Sequence, residues 1–347
     1  MTDAQAHGLP ERFEDEAALE EFMSRPTEAL SADLAAAPGD ITLLGVGGKM
    51  GPTLARMAKR ADPERRVIGV ARFSNPDSRR ALEAAGVETV ACDLLDRDAV
   101  EALEKTPNVV FMAGMKFGAT GNEPLTWAMN AHVPAIVAEA FRDSRIVAFS
   151  TACVYPYVDV RHQGATEAVP PVAPPGEYAN SCVGRERMFQ YFSARHGTPG
   201  RLIRLSYAID MRYGVLHDIA RAVLAGEPIP LEMGHVNVIW QGDANACALR
   251  ALRHCATPSA PLNVSGPEVA SVRALAAAFG ERLGRTPVLT GEESTTAWLV
   301  NTSEQTRLFG YPDVPLAKLV DWTADWVARG GASLGKPTHF EVRDGTY

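Results

Sequence analysis

The segment Gly45-Val46-Gly47-Gly48-Lys49-Met50-Gly51 restricts this chain more than any other feature, because it joins the apolar run Ile41-Thr42-Leu43-Leu44 to the amphipathic stretch Pro52 to Arg60. A strand that enters a helix through glycines turns tightly and leaves backbone N–H groups at the helix N-terminus open to a pyrophosphate. Gly45, Gly48 and Gly51 are assigned that role, with Lys49 and Met50 beside them. The spacing is GxxGxxG, and a glycine triplet alone also occurs in ordinary turns. The preceding strand, the following helix and the further strands arriving on schedule give it weight. Lys49 is either a second positive contact to a phosphate or a solvated surface lysine.

Beyond this turn, short apolar runs alternate with longer helical stretches, the pattern of a parallel sheet wrapped by helices. Strands are expected at 41–44, 66–70, 87–90, 109–112, 146–149 and 202–205. Helices are expected at 52–60, 78–85, 98–104 and 124–141, with another from Tyr178. The predicted fold is α/β, a Rossmann-type parallel sheet wrapped by helices with a smaller C-terminal substrate lobe. Residues 1–39 form an acidic helical extension, read as packing or a dimer arm, and 40–212 form the dinucleotide-binding domain. Residues 213–347 are mainly a substrate-binding lobe, with helices at 216–224, 272–283 and 316–328 and some segments returning to the sheet.

Composition removes several classes of function. A formal net charge of -8 supplies no basic face for nucleic acid. The five cysteines are odd in number and lack the paired spacing of disulfide frameworks or zinc sites, so a reducing compartment is expected and no metal. No apolar run approaches the roughly 18 residues of a membrane span, and the N-terminus is acidic and polar. A cytoplasmic protein with no membrane partner is expected.

The end of the second strand bears on the cofactor. An NAD site presents Asp or Glu there to the ribose hydroxyls, whereas Arg favours the 2′-phosphate of NADP. Here the strand ends Val70-Ala71-Arg72, so NADP is favoured over NAD.

Further motifs extend the pattern. The third strand ends Cys92-Asp93-Leu94-Leu95-Asp96, and the fourth leads into Phe111-Met112-Ala113-Gly114-Met115-Lys116 and on through Pro124 to Asn130. The fifth is followed by Ser150-Thr151-Ala152-Cys153-Val154-Tyr155, and a Pro-rich loop precedes Tyr178-Ala179-Asn180-Ser181-Cys182-Val183-Gly184-Arg185-Glu186. With Asn237 to Asp243 and Leu262 to Glu268, these motifs resemble the extended short-chain dehydrogenase/reductase family, the NAD(P)-dependent epimerases and dehydratases of sugar metabolism, over residues 40 to 330. The resemblance implies that Asp93 meets the adenine amino group, that Leu94, Ala113 and Gly114 border the cofactor, and that Lys116 lies near its pyrophosphate and nicotinamide ribose. It also implies that Thr151 is the catalytic hydroxyl residue, that Tyr178 is the catalytic tyrosine, and that a homodimer packs through the helices after Pro124 and Tyr178.

One position departs from that family. A lysine four residues after the tyrosine lowers the phenol's pKa and holds the ribose, yet this chain has Cys182 there. A free phenol titrates near pH 10, so losing that cation puts ordinary redox catalysis in question. Either Lys116 or Arg185 supplies the charge, or the chemistry needs less phenolate, or activity has been lost. Cys182 is read as a buried small hydrophobe before a nucleophile.

Relatives that act on nucleotide sugars carry an Asn after the sixth strand and an Arg in the lobe, where this chain has Tyr207 and Val236. A diphosphate would lose its bidentate partner. A carbohydrate-like small molecule without a nucleotide handle is therefore expected, with Tyr207, Asp210, Arg212, His235 and Trp240 as lobe residues to locate. For His235 and Trp240, structural roles in a turn or core are the competing assignment. The expected activity is epimerisation or dehydration through a transient ketone. The alternatives are a dinucleotide-sensing regulatory protein without turnover and a net dehydrogenase or reductase.

Overall fold

A computed structural model describes residues 8–116, 118 and 121–345. Two short helices come first, α1 (Glu16–Met23) and α2 (Glu28–Ala35). Each begins on a side-chain cap: Asp15 accepts from the backbone N–H of Ala18, and Thr27 from that of Leu30. Residues 1–7 of the expected extension lie outside the described residues.

Seven parallel strands form the sheet: β1 (Ile41–Leu44), β2 (Val67–Ala71), β3 (Glu88–Ala91), β4 (Asn108–Phe111), β5 (Arg145–Thr151), β6 (Gly200–Leu205) and β7 (Ala260–Val264). Their order is β7-β6-β5-β4-β1-β2-β3. β1, β2 and β4 are buried along their whole length, as their mostly apolar runs require when helices cover both faces. β3 closes one edge and is mostly exposed. β7 returns from the C-terminal half of the chain to pair with β6.

The strand order reverses between β1 and β4, which are neighbours, and in open α/β sheets ligands bind off the carboxyl ends of the strands at such a reversal. Gly45 follows β1 and Met112 follows β4, so the glycine turn and the Ala113-Gly114 segment face each other there.

The crossover helices include α3 (Gly51–Ala61), α4 (Pro76–Ala84) and α5 (Arg97–Ala102). The stretch expected as one helix over 124–141 is divided into α6 (Glu123–Trp127), a π-helical turn Ala128–His132 and α7 (Val133–Ala140). Pro134 has no N–H to return to the carbonyl of Asn130, so the ladder widens there. Next comes α8 (Glu177–His196), which opens after Gly176 and ends at Gly197 with φ +77°.

The remaining elements are α9 (Val215–Ala225), α10 (Gln241–Arg250), α11 (Val272–Leu283), α12 (Ser303–Phe309) and α13 (Leu316–Ala328). α9, α11 and α13 share a core with Phe13, Leu19 and Met23 from the N-terminal segment. α2 instead sends Leu30 and Leu34 into the core beside β1 and α3. Ion pairs tie each helix to a further element: Glu21 on α1 pairs with Arg56 and Arg60 of α3, and Asp33 on α2 with Arg250 at the end of α10 and with Arg253. The N-terminal helices thus cement the lobe to the sheet.

Candidate active site

Sterics require glycine at two positions of the turn. Gly45 has φ +91°, and a Cβ there would lie 2.6 Å from the backbone nitrogen of Ala113. A Cβ on Gly51 would lie 2.0 Å from the carbonyl oxygen of Val46, so the helix starts against the turn's own backbone. Gly48 is different: its nearest neighbour would be 3.7 Å away, which leaves the approach to its backbone open. An open middle glycine held by two obligatory ones is the cradle a pyrophosphate needs.

Two cavities meet over this turn and share Gly45, Gly48, Met112 and Gly114 on their walls. The smaller, about 310 Å³, is bordered by Arg72, Asp93, Leu94 and Ala113, with Phe73, Ser74, Asn75 and Ser78. Asp93 holds its loop by accepting from the N–H of Leu95. The larger, about 490 Å³, brings Lys49, Met50, Lys116, Thr151, Tyr178 and Tyr207 together. The two cavities form one continuous cleft over the glycine turn, with Arg72 at one end and Tyr178 at the other.

At the reacting end the side chains form a chain of hydrogen bonds. Thr151 accepts from the N–H of Cys153, and its hydroxyl is hydrogen-bonded to Tyr178, a contact that favours the phenolate. Tyr178 in turn is hydrogen-bonded to the thiol of Cys182. Burial, with the neighbouring thiols of Cys182 and Cys153, raises the Tyr178 pKa well above that of a free phenol, while Arg185 and Thr151 act against it. Burial also pushes the Cys182 thiol up to about 11, so it is not a resting thiolate.

The two candidate replacement cations are placed differently. Lys116 lines the cavity beside Cys153 and Cys182, its charge disfavoured by burial, and donates to the carbonyl of Thr338 at 3.5 Å. Arg185 lies beneath the cavity floor, where it donates to the carbonyl of Phe149 and to Asn130 Oδ1. A Cβ on Gly114 would touch that guanidinium, so Gly114 is the opening through which its charge reaches the site. Asn130, on the π-helical turn, clamps both backbone groups of Met115 and donates to Ser181. It fixes the segment that carries Lys116.

Several sequence-nominated residues lie elsewhere. Trp240 is 2% exposed and packs with Phe13, Phe22 and Trp322, so it is core. Arg212 points away from the cavity to Glu16, Glu20 and Asp210. His235 pairs with Ser271 in a short antiparallel bridge outside the cavity, and Val236 is buried. Cys182 and Gly51 touch the site's supporting structure without lining the cavity. Lys49 does line it, but its ammonium turns from the glycine turn to the carbonyl of Ala208 and the ring of Tyr213. Burial lowers its pKa to about 8.

Sequence inspection did not find Tyr213, Trp298, Lys336 and Thr338, which complete the cavity wall. Tyr213 stands one residue after Arg212 and was within reach of the same search. Nothing local marks the other residues. Trp298 is fixed by donating to the carbonyl of Tyr155, and Thr338 by two bonds to Asp218. Among the described residues no group of His, Cys, Asp and Glu is placed to hold a metal ion, and no helix is long and apolar enough to cross a membrane.

The sheet order, the glycine cradle and the Thr151–Tyr178 pair define a Rossmann-type nicotinamide-dinucleotide protein. A model of the NAD dependent epimerase/dehydratase family matches residues 41–257, and the chain belongs to that family. Solved structures agree on the fold. UDP-glucose 4-epimerase from Thermotoga maritima, solved with UDP-glucose, has a TM-score of 0.69 at 16% identity, covering 84% of this chain and 99% of its own. UDP-glucuronic acid 4-epimerase from Bacillus cereus, solved with NAD, has a TM-score of 0.68 at 16% identity with the same coverage. A putative epimerase from Burkholderia cenocepacia has a TM-score of 0.67 at 19% identity, covering 84% and 98%. No curated protein matches the chain in sequence.

Proposed function

We propose that this chain is an epimerase or dehydratase that acts at a hydroxyl-bearing carbon of a carbohydrate-like molecule through a transient ketone. The observation that carries this reading is that Thr151, Tyr178 and Lys116 line one cavity, which continues over the glycine cradle. A binding module that only senses a dinucleotide has no need of a hydrogen-bonded Tyr–Thr pair at the reacting end.

When bound, the nicotinamide supplies hydride acceptance and return. Tyr178 and Thr151 hydrogen-bond the reacting oxygen, and Tyr178 moves the proton. With its pKa raised, the phenol rests protonated, so its ready role is to donate to a carbonyl oxygen. Accepting a proton in the other direction relies on Arg185 and Thr151, which favour phenolate, with Lys116 as the cation inside the cavity. Cys182 acts as a positioning residue that anchors the phenol through its thiol.

Two features support a substrate without a nucleotide handle. Among the described residues no arginine lines the reacting cavity, and Arg212 is held by Asp210, Glu16 and Glu20. A diphosphate therefore lacks the guanidinium fork it ordinarily takes. At the other end of the cleft, Arg72 with Ser74, Asn75 and Ser78 supports NADP over NAD. Exposed Leu125, Trp127 and Tyr191 on α6 and α8 support a homodimer through those helices, which sedimentation of the purified protein tests.

The first experiment is titration of purified protein with NADPH and NADH. Binding of both, tighter for NADPH and weakened selectively by Arg72→Ala, is the expected result. Failure of both to bind removes the reading. Turnover of an identified substrate that survives both Tyr178→Phe and Thr151→Ala removes the site assignment.

A further inference from the structure

A few buried side-chain polar atoms lack a hydrogen-bond partner among the described residues, and of the residues that carry them Ser206 alone lines the reacting cavity. Its hydroxyl oxygen is the atom concerned, and the residue is 2% exposed. The others, on Arg185, His217, His235, Gln241 and Asn245, belong to residues that do not line it. Buried hydroxyls in folded chains are almost always bonded, because an unbonded one has given up water for nothing. An unbonded hydroxyl in a cavity wall therefore points to a ligand atom.

The backbone around Ser206 is fixed in an unusual shape. Its N–H donates to the carbonyl of Val264, and its own carbonyl accepts from the hydroxyl of Ser265. The next residue, Tyr207, has φ +36°, in the left-handed region that a bulky side chain rarely enters. Such strain persists where the surroundings over-determine it, and here the Tyr207 carbonyl accepts from the N–H of Ile239 and the Ala208 carbonyl from Lys49. The strain has a consequence. Successive residues of a regular strand face opposite sides, yet all five residues from Leu205 to Ile209 line this one cavity. The left-handed Tyr207 breaks the alternation and turns the run along the wall.

This run borders both halves of the site. Leu205 is the register partner of Thr151, so Ser206 stands one residue beyond it, on a strand about 4.8 Å away. From the other side, Lys49 of the glycine turn reaches the same run at Ala208. In the dinucleotide-dependent reading above, on which this inference rests, the space between cradle and Tyr178 belongs to the nicotinamide ring, whose one polar substituent is a carboxamide. A hydroxyl both donates and accepts, so it meets either the carbonyl or the amide of that group. We propose that the Ser206 hydroxyl binds the carboxamide of the nicotinamide, and that its fixed backbone sets the ring's rotation against the Thr151–Tyr178 pair.

The test is calorimetric titration of the full-length protein and of Ser206→Ala with the tighter of NADP and NAD, and with its 3-acetylpyridine and thionicotinamide analogues, which alter only the carboxamide. The native protein is expected to prefer the natural cofactor to at least one analogue by about fivefold to tenfold. Ser206→Ala should weaken the natural cofactor by a similar factor and erase that preference. Without ligand, Ser206→Ala should melt at the same temperature or higher, because an unpaired buried oxygen has been removed. A native protein that treats all three cofactors alike overturns the proposal without recourse to a variant. So does Ser206→Ala that keeps the native affinity, or that loses affinity while keeping the preference. A lower melting temperature with equal losses for all three cofactors gives Ser206 a structural role and also overturns it. A native protein that binds no dinucleotide removes the earlier reading and this one with it, whereas native binding unchanged by Ser206→Ala removes this one alone.

Discussion

The two ends of the cleft are built from different materials. The glycine-turn end is made of backbone: Gly45 and Gly51 leave no room for even a methyl group against Ala113 and Val46. The reacting end is made of side chains from β5, α8, the segment after β4 and the C-terminal segment. A backbone cradle tolerates no substitution, because its neighbours have no rotamer to change. A side-chain site depends on rotamers instead, as Tyr178 does on its bonds to Thr151 and Cys182.

The largest effect expected is at the reacting end. Tyr178→Phe should lower turnover by about a thousandfold with little change in dinucleotide affinity, the scale of a lost general acid. Steady-state kinetics beside a cofactor titration would check it, and an equal loss in both would place Tyr178 in binding. At the backbone end, Gly51→Ala should cost about 2–4 kcal/mol of stability and abolish dinucleotide binding together, read by thermal unfolding and titration. Retained binding would mean that the turn relaxes and that the contrast between the ends is wrong.

Cys182→Lys sharpens the comparison. The position is fully buried among Ala152, Val154, Tyr155 and Val300, so a lysine should lower both the melting temperature and turnover. A gain in turnover would instead show that the phenol lacks a cation that Arg185 and Lys116 do not supply.

Lys49 lies between the two ends and gives a pH dependence. Its pKa, lowered to about 8 by burial, means the ammonium beside the Ala208 carbonyl and the Tyr213 ring loses its charge as pH rises through that value, and Lys49→Met should remove the resulting pH dependence. Between about pH 8 and the ordinary lysine value the unfolded chain holds the proton and the folded chain does not, so stability rises with pH in that window. Thermal unfolding of the protein and of Lys49→Met from pH 7 to 10 would read it. The smallest effect expected is for Thr338→Val, which should cost about 1 kcal/mol through its lost hydroxyl bond to Asp218 while leaving the glycine end unaffected.

Much of the sheet was legible because its signals are local. The strands at 41–44, 66–70 and 109–112 are apolar runs buried on both faces, and the structure has them within two residues. The division of 124–141 was carried by Pro134 in plain view, but a helical hydrophobic pattern hides a single widened turn. Tyr207 lines the cavity, but Arg212 and Trp240 lie elsewhere for another reason. Arg212 follows the sixth strand as a substrate residue would, yet Glu16 and Glu20 claim it from the other end of the chain. Trp240 offers a stacking surface in sequence and is covered by Phe13 and Trp322.

The sequence by itself determined the α/β fold, the glycine turn and the Thr151–Tyr178 pair, because each depends on spacings within one strand, turn or helix. Tertiary structure alone decided which cation serves which group. It set Arg185 under Gly114 and Lys116 against Thr338, contacts between segments far apart in the chain. Charge acts through space, and residues that share a cavity leave no shared spacing in the sequence.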